Sequence, residues 1–428
     1  MPVDPGLFKQ VMARWSSGIT VITSAAEGQW QGITANSFAS VSLNPPLVSV
    51  SIDKKLYIHS VIDTSRIFAA NILSVDQVEW GKLFAGFYPE VEDRFSGMAC
   101  QTAVTGSPIL PDVIGWVDCQ VRHAYDAGDH TIFVGEVVAG DTPVAVPPLA
   151  YHNRAWGEFV QQPPESAQLI EVGPSARHAL PVEAKFDEVE SLVEAGFTHV
   201  QVAVFAASMP AQIFDSLQKH DGVIYSALVL DMPGLEQARA AGFSHVDFAV
   251  SAGDSSIPLS QAMEQFVLMV SYAHEHDMRV RASIGHAFDG DFDTITKMAQ
   301  NFLDVGVHEI TIADSMGAAT PLQLRKLVTA LRATTGATPI SLRLYNARGL
   351  GLANMLAALE TGVNRFETAY RGLGEDADSH IPTEDAVYMF QSMGIQTSIN
   401  LPRLSEIAGR AAPLPGKPPV SRAEKLPE

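Results

Sequence analysis

The sequence predicts a two-domain protein, a small N-terminal β-barrel followed by an α/β domain of the (β/α)8 type. Three observations lead there. Short β-branched runs broken by turn residues fill the first part of the chain. From Leu169 to about Gly409, strand-like and helix-like runs alternate in eight units, over a length of about 245 residues that suits a closed eightfold barrel. Between the two parts, Val160-Gln-Gln-Pro-Pro-Glu-Ser-Ala-Gln168 interrupts the apolar pattern with paired prolines and polar residues. The expected boundaries are therefore 1–160 for the first domain, 161–168 for a linker, 169–410 for the barrel and 411–428 for a tail. Within that tail Ala412-Pro-Leu-Pro-Gly-Lys-Pro-Pro-Val420 sustains neither helix nor sheet and is expected to be disordered.

The elements follow in order. Pro5–Ser17 places Phe8, Val11, Met12 and Trp15 at i, i+3, i+4 and i+7, the stripe of an amphipathic helix, and such a stripe is expected to face a core. Strands are predicted at Ile19–Thr23, Gly32–Ala35, Leu47–Ile52, Ile67–Ile72, Trp116–Ala124 and Thr131–Ala139. In the second domain they are predicted at Leu169–Val172, His199–Phe205, Val223–Val229, His245–Val250, Met278–Ile284, His308–Ala313, Ile340–Tyr345 and Arg365–Ala369. Between them lie amphipathic runs such as Phe186–Ala195 and Met298–Val305, each closing on an Ala-Gly or Val-Gly pair suited to a helix C-terminus.

Composition narrows the function. With 48 acidic against 28 basic residues and a net charge of −20, bulk attraction to nucleic acid or to an anionic membrane is not expected. The two cysteines, Cys100 and Cys119, are too few for a disulfide framework or a thiolate metal site and read as small buried hydrophobes. No basic-then-apolar leader occupies Met1 to Gly18 and no apolar run reaches membrane-spanning length, so the expected location is the cytoplasm. His274-Glu275-His276 places its histidines two apart on a helix, on different faces, and reads as a solvated helix end.

The first domain carries an ordered set of motifs: Gly18-Ile-Thr-Val-Ile-Thr23, Gly32-Ile-Thr-Ala-Asn-Ser-Phe38, Val41-Ser-Leu-Asn-Pro-Pro-Leu-Val48, Ser51-Ile-Asp-Lys-Lys55, Phe68-Ala-Ala-Asn-Ile-Leu73, Gly128-Asp-His-Thr-Ile-Phe-Val-Gly-Glu136 and Pro148-Leu-Ala-Tyr-His152. Together, over residues 5 to 159, they resemble the flavin reductase family with the FMN-binding split barrel, the NAD(P)H-consuming partners of two-component flavin monooxygenases. An isoalloxazine ring needs backbone and small-side-chain hydrogen bonds at its pyrimidine edge and an apolar floor beneath it. The resemblance sets Thr34, Ala35, Asn36 and Ser37 beside the ring, and Ser51, Asp53, Lys54 and Lys55 near the ribityl chain and phosphate. It gives Asn71 the role of closing the same pocket and His130 that of positioning the nicotinamide or the reduced ring. Singly, each has a plainer reading: Thr34 and Asn36 as turn residues, Lys54 and Lys55 as solvated surface, Asn71 as a strand cap. No Gly-x-Gly-x-x-Gly follows a strand, which suits a family that binds the nicotinamide without a dinucleotide fold.

The second domain holds Ile310-Thr-Ile-Ala-Asp-Ser-Met-Gly-Ala-Ala-Thr-Pro321, Gly349-Leu-Gly-Leu-Ala-Asn354, Gly372-Leu-Gly374 and Thr383-Glu-Asp-Ala-Val-Tyr-Met389, which resemble 3-hydroxy-3-methylglutaryl-CoA lyase and its relatives. The family's His-x-His metal strand reads Arg343-Leu-Tyr345 here, and its Arg-Asp pair after Glu171-Val-Gly-Pro174 reads Ser175-Ala176. The family's loop cysteine aligns near Asp376 and its metal-ligating Asn with His380, while Asp314 matches. Arginine does not release its proton to a metal and alanine has no ligand atom, so metal-assisted carbon–carbon cleavage is not expected and no metal site is predicted. His286, Asp314, Arg343, Tyr345, Asp376 and His380 fall at or after strand ends, either as a binding mouth or as a decayed site satisfied by its own ion pairs.

The expected function is an NAD(P)H:flavin oxidoreductase that uses NADH or NADPH to reduce FMN or FAD for a separate flavin-dependent monooxygenase. It is expected to be a homodimer, with the barrel as a non-catalytic or regulatory module. The competing readings are a lyase or aldolase acting from the barrel, and a barrel that docks the oxygenase or binds a ligand.

Overall fold

The computed structural model describes residues 3–176, 182–208, 217–253, 257–372 and 380–410. The chain divides into two compact units between Val160 and Gln161.

The first unit is built on seven antiparallel strands: β1 (Thr20–Ala26), β2 (Gln29–Ala35), β3 (Ala39–Leu43), β4 (Pro46–Asp53), β5 (Ile67–Ile72), β6 (Gly115–Ala127) and β7 (His130–Asp141). They pair in the order β2-β1-β5-β6-β7-β4-β3. All six strands expected here are present, and β3 is added. Strict alternation along β4 turns Val48, Val50 and Ile52 into the core and leaves Ser49, Ser51 and Asp53 on the other face. Phe68, Phe133, Ile22 and the helix residues Ile58 and Ile62 complete that core. Gly135 of β7 permits it, since a Cβ there would stand 2.6 Å from the Phe68 ring.

The chain from Asn36 to Phe38 runs from one edge strand, β2, to the other, β3. There the Ser37 hydroxyl donates to the Ser51 carbonyl at 3.0 Å and accepts the Ser51 N–H at 3.1 Å, tying the end of β2 to β4. This side chain supplies backbone partners that no ladder provides at that point.

The N-terminal helix α1 (Pro5–Ala13) starts where predicted, capped by the Asp4 carboxylate on Leu7 N–H with Pro5 in the first turn. Its stripe corrects the expectation of a core face. Phe8, Val11, Met12 and Trp15 are 56%, 59%, 47% and 70% exposed, because no described residue buries them.

The second unit is a closed barrel of eight parallel strands: β8 (Gln168–Glu171), β9 (His199–Phe205), β10 (Ile224–Val229), β11 (His245–Ser251), β12 (Arg279–Gly285), β13 (Glu309–Asp314), β14 (Ile340–Leu344) and β15 (Arg365–Thr368). Each lies within about a residue of its expected position, as befits a strongly periodic pattern. The helix stops are also as read: Gly196 and Gly306 take φ of +101° and +85°, where glycine alone is unstrained. Helix Pro321–Thr335 begins in a capping box between Thr320 and Gln323. The residues expected as a linker bond to the barrel unit, Gln161 N–H to Glu360 O and Ala167 N–H to Gln396 O. Among the described residues no helix is long and apolar enough to cross a membrane. The expected tail lies outside the described residues.

Candidate functional site

In the first unit the β4–β7 register sets Asp53 opposite His130 and Ser51 opposite Ile132. Opposite residues share a face, so Ser51, Asp53 and His130 stand on one outer face of the ladder, with Ser37 bonded to it. Asp53 also accepts the Lys55 N–H at 2.9 Å, shaping the turn that leads to helix α2 (Tyr57–Ser65). Lys54 extends to Asp126 at 2.6 Å and to the Gly128 carbonyl at 2.7 Å, fastening the β6–β7 turn. Lys55 is exposed and makes no ion pair with any described residue. His130 Nδ1 lies 2.7 Å from the Asp129 carboxylate. The hydrogen bond from His130 holds the Asp129 carboxyl below the usual carboxylate range.

Two predicted residues stand apart from this face. The Thr34 hydroxyl donates to the Gly81 carbonyl at 2.6 Å, joining β2 to helix α3 (Val78–Phe84). Asn71 is fully buried, and its amide donates to Val21 O at 3.1 Å while its carbonyl accepts the Leu110 N–H at 2.9 Å. A carboxamide consumed at both ends holds strands together, so the geometry does not support the expected part in closing a pocket. Ala35 packs inward against the core, and Asn36 is exposed at the β2 exit.

Sequence reading missed a groove lined in part by the residues that follow Lys55. A cavity of about 460 Å³ is lined by Trp30 and Ile33 of β2, Leu56 and Tyr57 after the lysine pair, and Arg94 and Phe95. Phe95 is edge-on to both Trp30 and Phe84, at 5.7 and 5.1 Å between ring centres. Glu92 and Asp93 also line it beside Arg94, so the aromatic wall suits a planar ring. Its residues lie far apart in sequence, and only Leu56-Tyr57, next to Lys54-Lys55, offered a local hint.

In the barrel, buried polar groups bond to one another across the strands. A chain of polar side chains crosses the interior. Ser175 Oγ lies 2.6 Å from Gln201 Oε1, Gln201 donates to Asp247 at 2.6 Å, and Asp247 accepts Arg281 at 2.8 Å. Arg281 stands 3.1 Å from Glu367, which also accepts Arg343. Burial opposes charge on Glu367, yet Arg343 and Arg281 hold it below its usual range. Asp247 is held down likewise against burial by Arg281, Gln201 and Ser226. The Tyr345 and His380 rings meet edge-on at 4.9 Å, and burial with the nearby Arg343 pushes His380 down to about 3. Asp314 accepts the N–H groups of Ala318 and Ala319, and His286 pairs with Asp289. Burial pushes Glu171 up to about 8, although it accepts Thr383 Oγ1 and the N–H groups of Tyr370 and Gly173. Asp376 lies outside the described residues. Glu171, Asp247, Arg281 and Glu367 were not singled out in the sequence, where the only signal is a charge at an inward position of a buried strand. Among the described residues no group of three or more His, Cys, Asp or Glu is placed to hold a metal ion.

Fold and site thus define a protein that joins a flavin reductase-like β-barrel to a lyase-like (β/α)8 barrel. The comparisons agree for both parts. The model of the flavin reductase like domain matches residues 12–159, and the HMGL-like model matches residues 174–410. The chain belongs to the HMGL-like family and carries a flavin reductase-like domain ahead of it. It is 26% identical over 291 residues to 3-hydroxy-3-isohexenylglutaryl-CoA/hydroxy-methylglutaryl-CoA lyase of Pseudomonas aeruginosa, covering 61% of this chain and 97% of that protein. The crystal structure of hydroxymethylglutaryl-CoA lyase from the same organism is similar with a TM-score of 0.58 and 25% identity, over 61% of this chain and 97% of that one. The flavin reductase PheA2 is 36% identical over 37% of this chain and all of its own, with a TM-score of 0.34.

Proposed function

We propose that this protein is an NAD(P)H-dependent flavin reductase that delivers reduced FMN or FAD to a separate flavin-dependent monooxygenase. The observation that carries the reading is the shared outer face of Ser51, Asp53 and His130, to which Ser37 bonds, with the exposed Lys55 just past Asp53 and an aromatic groove that begins at Leu56. These residues fit a flavin. Ser51 and the exposed Asn36 offer hydrogen-bonding groups for the ring and ribityl chain, and Lys55 is a cation available to a phosphate. When bound, the flavin supplies a hydride acceptor for the dihydronicotinamide. The chain's part is to orient the two rings, with Asp129 fixing the imidazole of His130 against the nicotinamide or the reduced ring. Lys54 serves the β6–β7 turn, and Thr34 and Asn71 serve the scaffold. The exposed stripe of α1 supports a homodimer, since a second copy is a surface that would cover it.

The barrel is read as a non-catalytic module, supported by Arg343, which stands at one of the family's metal-strand positions and is engaged by Glu367. Nicotinamide absorbance followed with full-length protein tests the whole reading, using each pairing of NADH or NADPH with FMN or FAD. Consumption above the uncatalysed rate is expected with at least one pairing, and none with any pairing overturns it.

A further inference from the structure

Ligands of (β/α)8 barrels are bound at the C-terminal ends of the strands, so the opposite end is ordinarily closed by packing. In this chain it holds a cavity of about 220 Å³, walled by His199, His245, His308, Arg279, Arg365 and Arg281. Asp247 and Glu309 also line it, and the arginines differ in how far such acids engage them. Arg281 is occupied by Asp247 at 2.8 Å and Glu367 at 3.1 Å, and Arg365 by Glu309 at 2.7 Å. Arg279 is exposed and pairs with no described acid. The remaining wall is three imidazoles.

The hydrogen bonds fix which of their atoms are available. Ser226 donates its only hydroxyl proton to Asp247 at 2.8 Å, so at 3.1 Å from His199 Nε2 its oxygen is the acceptor and Nε2 carries the proton. His199 Nδ1 is then a bare lone pair, buried with no partner among the described residues on a side chain only 4% exposed. A buried polar atom left unpaired needs an explanation, and a ligand is one. His308 Nδ1 accepts the Val280 N–H at 3.1 Å, which leaves its Nε2–H as a donor. The Nε of Arg365 is likewise buried without a partner.

We propose that this end of the barrel binds a small oxyanion, a carboxylate or a phosphate, held by Arg279 and Arg365 and by imidazoles that take up a proton as it binds. Burial, and then the neighbouring arginines, hold all three imidazoles below their usual range. Arg281 and Arg365 act on His199, and Arg279 acts on His245 and His308. His274 beside His308 adds to this, while Glu367 opposes it at His199 and Asp247 at His245. An anion among them reverses the balance. His308, whose Nδ1 accepts the Val280 N–H, contributes a neutral Nε2–H; the free His199 and His245 are neutral near pH 7 and take up the proton when bound, so binding tightens as pH falls. The proposal is independent of flavin reduction.

Isothermal titration calorimetry of the full chain with inorganic phosphate and, separately, succinate and citrate, at pH 6 and pH 8, tests it. Saturable binding of at least one probe is expected, about tenfold tighter at pH 6, with proton uptake shown by buffers of differing ionisation heat. Binding of phosphate alone assigns a phosphorylated ligand, and binding of carboxylates alone an organic acid. Arg279→Ala, at an exposed position, is expected to weaken binding at least about tenfold while circular dichroism is unchanged. Absence of binding by all three probes at both pH values overturns the site, as does binding that survives unchanged in both Arg279→Ala and Arg365→Gln.

Discussion

The two units spend their polar side chains in opposite ways. On the outer face of the first, Lys55 and Asn36 are exposed and His130 is 39% exposed at its side chain, so hydrogen-bonding capacity remains for something outside the chain. Inside the second, Glu367, Asp247 and Arg281 are nearly sealed from solvent and form ion pairs with one another. A surface that binds a cofactor has to leave groups unpaired, at little cost while water serves them. A buried cluster has no water to fall back on, so its charges must pair internally. Residue type alone does not separate the two cases; both contain the acids, cations and histidines expected of a site.

The largest test of this contrast is Glu367→Gln. It leaves Arg343 and Arg281 facing a neutral group in the barrel interior, and a loss of about 3–5 kcal/mol is expected in denaturant unfolding of the second unit. Flavin-dependent NAD(P)H oxidation is expected to persist in conditions where the variant is folded. A loss below about 1 kcal/mol would mean that the buried pair is not the barrel's internal compensation.

Two carboxyls of the same barrel should respond to pH in opposite directions. Glu367 is held below its ordinary value, so its stabilisation is present above the unfolded pKa and is lost as pH falls through the folded one. Glu171 is raised from 4.5 to about 8, so folding retains its proton, and its contribution to stability declines as pH rises from 4.5 to 8 and then levels. Unfolding free energies of the parent and of Glu171→Gln across that window check this. The variant is expected to lack the decline.

On the first unit, Asn36→Asp is expected to weaken flavin binding by about 1–3 kcal/mol, through a negative charge set against the electron-rich edge of the ring. Flavin fluorescence quenching measures it, and unchanged affinity would remove Asn36 from the ring. Smaller effects should separate the two lysines. Lys55→Ala is expected to lower flavin affinity by about 1 kcal/mol, whereas Lys54→Ala, removing an exposed ion pair with Asp126, costs at most about 1 kcal/mol of stability. The reverse result would exchange their roles.

The smallest contrast is chemical. Burial and the neighbouring Asp118 push the Cys119 thiol up to about 12, while Cys100 is half-buried and only raised. A thiol reagent on the native protein should label Cys100 slowly and Cys119 only after unfolding.

Both barrels were legible because hydrophobic periodicity is local: the period-2 runs of β4 and the eight alternations from Gln168 to Thr368 are written residue by residue along the chain. Helix stops at Gly196 and Gly306 were legible for the same reason. The family motifs also pointed to Ser51, Asp53 and His130, which strand register then placed on one face, and to Ser37, which bonds the Ser51 backbone. Partnership between distant residues was not written locally. That Asn71 is sealed between Val21 and Leu110, that Lys54 and not Lys55 is engaged by Asp126, and that Arg343 meets Glu367 are each settled by strands brought together from far along the chain. The stripe of α1 shows the same limit, since amphipathic spacing states that a face is apolar but not what covers it. Sequence by itself determined the elements, their order and the residue types available for chemistry. Only the tertiary structure decided which polar groups are consumed by the fold and which remain for a ligand, because desolvation and pairing depend on neighbours in space rather than in sequence.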